Sequence, residues 1–218
     1  MATAMGSEIG KSALIIVDMQ NDFVHAEGGL AYRARENPGA AIDLPFMMST
    51  IPRAKQLATA FREAGRPVIY LAHVVKPDYS DAQFPFWRLT HPGGNRTFIV
   101  EGSWGARIVD DLKPQDGEHV VVKKGFGGFS NTPLDTILRN GGVTTCVVAG
   151  VMTSICVSST VRGGTEHNYR MILVEDSLAD VYRESHLAEL TILGSVFADV
   201  RTTDQVVAML AGATAAGA

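Results

Sequence analysis

The run T-T-C-V-V-A-G-V-M-T-S-I-C-V, Thr144 to Val157, decides how the whole chain is read. Its first half is apolar without interruption from Cys146 to Ala149, the pattern of a strand buried on both faces of a parallel sheet. Its second half turns polar at Thr153 and Ser154 and then sets Cys156 near the start of a helix. Outward from this stretch the same apolar pattern recurs at Ala13–Val17, Val68–Leu71, Val120–Val122 and Met171–Val174, and Ala198–Val200 adds a sixth, shorter run. The segments between have helical spacing. Ile51, Ala54, Leu57, Ala58 and Phe61 form a stripe ending at Gly65 and Pro67, a glycine stop followed by a residue that cannot continue a helix. Leu134, Ile137 and Leu138 form a second stripe behind Thr132, a helix cap, and Pro133, a first-turn residue. Leu187, Leu190, Ile192, Leu193 and Val196 form a third. This alternation predicts an α/β fold, a three-layer αβα domain with a mainly parallel, six-stranded, Rossmann-like sheet. Residues 1–10 and 212–218 read as flexible ends around a single domain at 11–211.

Composition narrows the partners. The 218 residues carry a formal net charge of -4 with acids and bases interleaved, and 46% of them are hydrophobic. That balance gives neither the basic footprint of a nucleic-acid binder nor a membrane-surface helix, and no apolar run approaches the roughly 18 residues of a membrane span. A small molecule is the expected partner. The two cysteines, Cys146 and Cys156, in a chain without a leading secretory segment suit reduced thiols and a cytoplasmic location.

Ligands of such sheets bind beyond the carboxyl ends of the strands. There the first strand ends at Asp18, the third at Lys123, and the fourth runs through Gly150 to Cys156, while the long segments 21–50 and 74–103 follow strand ends as pocket walls. Taken singly, Asp18 is a loop cap, Lys123 half of a solvated Lys123-Lys124 pair and Cys156 a small packed hydrophobe. Together they are a nucleophile with a base to take its proton and a cation to stabilise the resulting charge. A thiol so placed is expected to ionise early and to react well below pH 8. Cys146, inside a strand, is expected to be structural.

The chain resembles the isochorismatase-like cysteine hydrolases. The residues that carry the resemblance are A-L-I-I-V-D-M-Q-N-D-F (Ala13 to Phe23), E-G-S-W (Glu101 to Trp104), V-V-K-K-G-F-G-G-F-S-N-T-P-L-D (Val121 to Asp135), G-V-M-T-S-I-C-V-S-S-T-V-R (Gly150 to Arg162) and V-E-D (Val174 to Asp176). The group includes ureidoacrylate amidohydrolase, N-carbamoylsarcosine amidohydrolase and biuret hydrolase, and G-S-W followed by N-T-P-L-D resembles the ureidoacrylate branch. The resemblance implies Cys156 as nucleophile, Asp18 as general base and Lys123, not Lys124, as the cation. It further implies a cis peptide between Val151 and Met152, with the backbone N–H groups of Met152 and Cys156 forming an oxyanion hole. Implied as well is a cofactor-free, metal-free hydrolase that cuts a C–N bond of a small ureido or N-carbamoyl amide through a thioester, in a homo-oligomer of two or four subunits.

Substrate contacts follow with alternatives beside them. Gln20 orients a ureido group or terminates its strand; His73 bonds a substrate carbonyl or sits satisfied at a strand end; Phe23, Trp87 and Phe129 form an apolar wall or belong to the core, and Ile155 borders the nucleophile. Gly128, where the resembling family carries an alanine, with Gly127 before it, is expected to leave a roomier pocket floor. An acidic substrate would need an arginine such as Arg33, Arg35, Arg88 or Arg96. The nicotinamidase metal pair, an acid two residues before a histidine, is missing around His73, which is why metal is not expected. Biuret or triuret hydrolysis, a nicotinamidase-like activity and a catalytically inactive binding relative are the competing readings. A nucleotide-binding module is disfavoured because neither G-x-G-x-x-G nor a phosphate-loop signature follows the first strand.

Overall fold

In the computed structural model, residues 9–83 and 98–216 are described. The strands are β1 Ser12–Val17, β2 Val68–His73, β3 His119–Lys123, β4 Thr145–Val151, β5 Arg170–Ala179 and β6 Asp199–Arg201. Around them lie α1 Asn21–Val24, α2 Gly29–Glu36, α3 Leu44–Met48, α4 Thr50–Glu63, α5 Leu134–Asn140, α6 Ser158–Glu166, α7 Arg183–Val196 and α8 Thr203–Ala216. The sheet runs β3-β2-β1-β4-β5-β6 with every neighbouring pair parallel. Strand order therefore reverses direction between β1 and β4, the switch point at which a crevice opens beyond the strand ends.

The layers can be read off β1 alone. Leu14 and Ile16 pack with Ala54, Leu57, Ala58 and Phe61 of α4 and with Val206 and Leu210 of α8. Ala13, Ile15 and Val17 pack on the other face with Leu134 and Leu138 of α5, Val161 of α6 and Leu193 of α7. Side chains of a strand alternate between faces, so this division is the three-layer αβα arrangement. Helix α4 ends as its sequence implies: Gly65 takes φ +63° and the Arg66 N–H closes the end on the Phe61 carbonyl.

Two expectations are corrected. β3 is an edge strand with Val120 and Val122 on its exposed side, so its unbroken apolar run does not mean burial on both faces. α7 buries Leu193 but leaves Leu187, Ile192 and Val196 exposed, at 63%, 48% and 76%. The side facing the sheet is instead set by His186 and Leu193. At the two ends of the described residues, Ile9 is fully buried against the core and α8 runs to Ala216, alanine being the strongest helix former.

Candidate active site

β1 and β4 approach so closely at their carboxyl ends that only glycine fits at residue 150. Its φ is +118°, and a Cβ there would lie 2.1 Å from the Val17 carbonyl oxygen. Immediately beyond, the Val151–Met152 peptide is cis. A five-residue π-helical turn, Thr153–Val157, then carries Cys156 into α6, with the N–H groups of Ile155 and Val157 both donating to the Met152 carbonyl at 3.0 and 3.1 Å. Next door, Asp18 leaves β1 in the left-handed region at φ +50°. Two neighbouring strands thus turn out of the sheet at the switch point.

Lys123 ends β3, two strands and roughly 10 Å from β1. Its long side chain crosses the end of β2, and Nζ lies 2.7 Å from Asp18 Oδ2 and donates to the Gly125 carbonyl at 3.1 Å. Both side chains are buried. Lys124, one residue on, points away and pairs with Asp81 at 2.7 Å. His73 stands between them on β2, in register with Lys123. Asp18, His73 and Cys156 present one donor atom each, all within 4.8 Å of one another. Such a trio has the residue types of a metal site. The carboxylate already faces the Lys123 ammonium, however, and a second cation sharing it would sit against that charge, so the set fits proton transfer better than metal ligation.

Burial and mutual charge govern the titration of this cluster. Burial raises the Asp18 carboxyl above its ordinary range, and the adjacent Lys123 only partly offsets that. Burial alone would depress Lys123, but Asp18 and Cys156 outweigh it and the ammonium is held upward. Burial pushes the Cys156 thiol up, against the pull of Lys123 and with the push of Asp18. This direction is opposite to the expected early-ionising thiol: burial and Asp18 favour the protonated sulfur, and Lys123 opposes them. His73 is lowered to about 3 by burial and then by Lys123, so its ring is neutral at working pH.

The substrate-contact expectations divide. The Gln20 amide donates to the His73 and Ala106 carbonyls at 3.0 and 2.8 Å and accepts the His73 N–H at 2.8 Å. Both its N–H donors are committed to stapling β1 to β2 and to the 98–109 segment, so it has none left for a ureido group. The Phe129 ring stacks on His167 at 5.1 Å and leans on Tyr169 at 5.7 Å, beside Gly163 and Gly164 of α6. Gly128 opens no space either: a Cβ there would meet Leu71 at 2.4 Å. Phe23 is a core residue, edge-on to Phe98 at 5.2 Å. His73 lies in the cluster, and Ile155 is half-buried beside Cys156. Arg33 and Arg35 are exposed on α2, with Arg35 donating to the Ala26 carbonyl. Trp87, Arg88 and Arg96 lie outside the described residues.

The structure also brings in Asp22, which sequence reasoning passed over. Its oxygens accept the N–H groups of Gly29 at 3.0 Å and Ile99 at 2.6 Å, and its own N–H donates to the Gly105 carbonyl at 2.8 Å. A buried carboxylate inside the N-D-F motif thus ties Ile99 and Gly105, on either side of the E-G-S-W segment, to the end of β1. In V-E-D, Asp176 caps α8 through the Thr203 N–H and hydroxyl, each at 2.8 Å.

A switch-point site holding a buried carboxylate, ammonium and thiol defines a class of hydrolase, and comparison with known proteins names the family. Residues 12–205 match the isochorismatase domain. The chain is 34% identical over 196 residues to the ureidoacrylate amidohydrolase RutB of Methylobacterium radiotolerans, covering 84% of this chain and 73% of that one. Among solved structures it is similar to a cysteine hydrolase from Pseudomonas syringae pv. phaseolicola, with a TM-score of 0.80, 28% identity and 94% of each chain covered. It is also similar to the N-carbamoylsarcosine amidase of Thermoplasma acidophilum, with a TM-score of 0.71, 30% identity and 89% and 97% covered. The chain belongs to the isochorismatase family. It is a hydrolase acting on amide C–N bonds.

Proposed function

We propose that the protein hydrolyses the terminal carbamoyl group of a small ureido or N-carbamoyl compound, with Cys156 as nucleophile, Asp18 as general base and Lys123 as the cation that organises them. The observation that carries this reading is the Lys123–Asp18 ion pair of 2.7 Å with Cys156 beside it at the sheet's switch point. The resting cluster holds the thiol protonated. When a carbonyl carbon comes within reach, the sulfur attacks while its proton passes to Asp18, whose raised affinity for protons suits it to receive one. The carbonyl oxygen, now negative, takes hydrogen bonds from the main-chain N–H groups of Met152 and Cys156; one such donor is worth on the order of 3 kcal/mol of barrier. The C–N bond breaks, Asp18 returns the proton to the departing nitrogen, and ammonia or the amine leaves. Water, deprotonated by the same carboxylate, then hydrolyses the thioester, and the thiol is restored.

The ureido class is supported by the likeness to enzymes named for ureidoacrylate and N-carbamoylsarcosine. The exposed apolar residues of α7 support the expected homo-oligomer, which the mass in solution tests. No helix among the described residues is long and apolar enough to cross a membrane. The deciding experiment is ammonia release from ureidoacrylate, N-carbamoyl amino acids, biuret, triuret and nicotinamide by wild type and Cys156→Ala, with and without chelator. Turnover of a carbamoyl compound that vanishes in Cys156→Ala and ignores chelator is expected; activity that survives the substitution or is lost to chelator overturns the mechanism.

A further inference from the structure

The turn that carries Cys156 is held from its outer side by two buried polar residues that the chemistry above does not use. β5 pairs with β4 to its last residue, Ala179 opposite Val151, so Asp180 emerges beside the nucleophile turn. Asp180 is buried, its Oδ2 accepts the Ser154 N–H at 2.7 Å, and its Oδ1 accepts the Val181 N–H at 2.8 Å. From α7, His186 Nδ1 bonds the hydroxyl of Thr153 at 2.9 Å, where Thr153 is fully buried and His186 nearly so. The His186 ring is backed edge-on by Phe46 at 5.1 Å, and Phe46 lies under the Arg183 guanidinium, which pairs with Asp43 at 2.8 Å. Thr, His and Asp are also the residue types of a hydrolytic triad. Here Thr153 has no access to a ligand and both Asp180 oxygens are engaged by main-chain N–H groups, so the trio is a clamp and not a second nucleophilic centre.

We propose that Asp180 and His186 are positioning residues that fix the Thr153–Val157 turn, through the Ser154 amide and the Thr153 hydroxyl, so that Cys156 is presented to Asp18 and Lys123. The inference rests on the reading of Cys156 as the nucleophile. Its physical basis is leverage. Thr153 directly follows Met152, the proposed oxyanion donor, and Cys156 lies within one turn, so a rotation of this segment moves donor and sulfur together. The two clamps come from the end of β5 and the start of α7 and grip the adjacent residues Ser154 and Thr153, and the internal bonds to the Met152 carbonyl define the turn's shape but not its orientation.

The test uses Thr153→Val and His186→Ala, with Thr153→Ser and His186→Asn as conservative partners; asparagine offers a polar atom where Nδ1 stood. Two readouts are taken on the full chain: steady-state kinetics on the best carbamoyl substrate, and iodoacetamide labelling of each cysteine followed by peptide mass spectrometry. Cys146, buried in the same strand system, reports global loosening. Thr153→Val and His186→Ala are expected to lower kcat about tenfold with KM little changed, as a sub-ångström misplacement does. Cys156 labelling should rise about fivefold through local opening while Cys146 stays unlabelled. The double variant should be no worse than either single one, and Ser and Asn should restore both readouts. Unchanged Cys156 labelling in both variants, or Cys146 labelling that rises in step, overturns the clamp. If wild type turned over no carbamoyl compound, the proposed function would fail on kinetics while labelling still judged the clamp.

Discussion

Cys146 and Cys156 lie ten residues apart along one strand and its continuation, and burial does not tell them apart: both are free and buried, at 0% and 2% exposure. Near the start of β4, Cys146 stands between Ala13 of β1 and Met171 of β5, and its thiol is pushed up to about 12 by burial alone. Beyond the end of β4, Cys156 is raised as well, but by a contest among burial, an ammonium and a carboxylate. Where the strands are paired, every neighbour is a side chain of the core. Where they end, three polar side chains from β1, β2 and β3 converge on the sulfur. What separates Cys156 from Cys146 is its place beyond the end of a strand and not the depth of its burial.

Cys156→Ala should abolish turnover, a loss of roughly 10⁴-fold or more, measured as ammonia release under substrate saturation. Asp18→Asn removes the proton acceptor and also takes from the buried Lys123 ammonium its partner, and a drop of about 10² to 10⁴ in kcat is expected, with folding followed by circular dichroism.

Lys123→Met leaves the Asp18 carboxylate buried without its cation and should cost about 3–5 kcal/mol in urea unfolding. Combining it with Asp18→Asn should recover part of that stability and none of the activity. Equal stability of the single and double variants would mean that the ion pair is not what charges the site.

The pH dependence of alkylation sharpens the contrast at lower cost. Because the folded Cys156 thiol is raised, its thiolate fraction is small at neutral pH, and labelling should climb only above the ordinary thiol range of about 8.5. A plateau already reached below pH 8 would reinstate the early-ionising thiol. Smallest of all, Cys146→Ala should leave kcat within about twofold and cost on the order of 1 kcal/mol, the value of a small apolar group removed from a core.

The strands were legible because their apolar runs reflect burial, which hydrophobicity reports residue by residue. The site's geometry was legible in part for a related reason: Asp18, Lys123 and Cys156 each follow a strand, and parallel strands deliver their ends to one edge. What the chain could not disclose depends on direction in three dimensions. Phe129 has the composition of a pocket wall, but its ring turns toward His167. Gln20 has the chemistry to hold a ureide, yet its amide is committed to His73 and Ala106. Leu187, Ile192 and Val196 have helical spacing, though His186, the polar residue among them, faces inward. For Cys156, proximity to a cation was visible in the motif, whereas the burial that pulls its titration the other way was not.

The strand order also divides the molecule along a seam. β3, β2 and β1 come entirely from residues 12–123 and β4, β5 and β6 from residues 145–201, joined at the β1–β4 contact that Gly150 makes possible. An interruption at the exposed Gly141-Gly142 turn would leave the carboxylate, the imidazole and the ammonium on one fragment and the thiol on the other. Neither piece would hold a complete site, so ammonia release from the mixture would report the two halves finding each other: the arrangement of an enzyme that can be split into an association sensor.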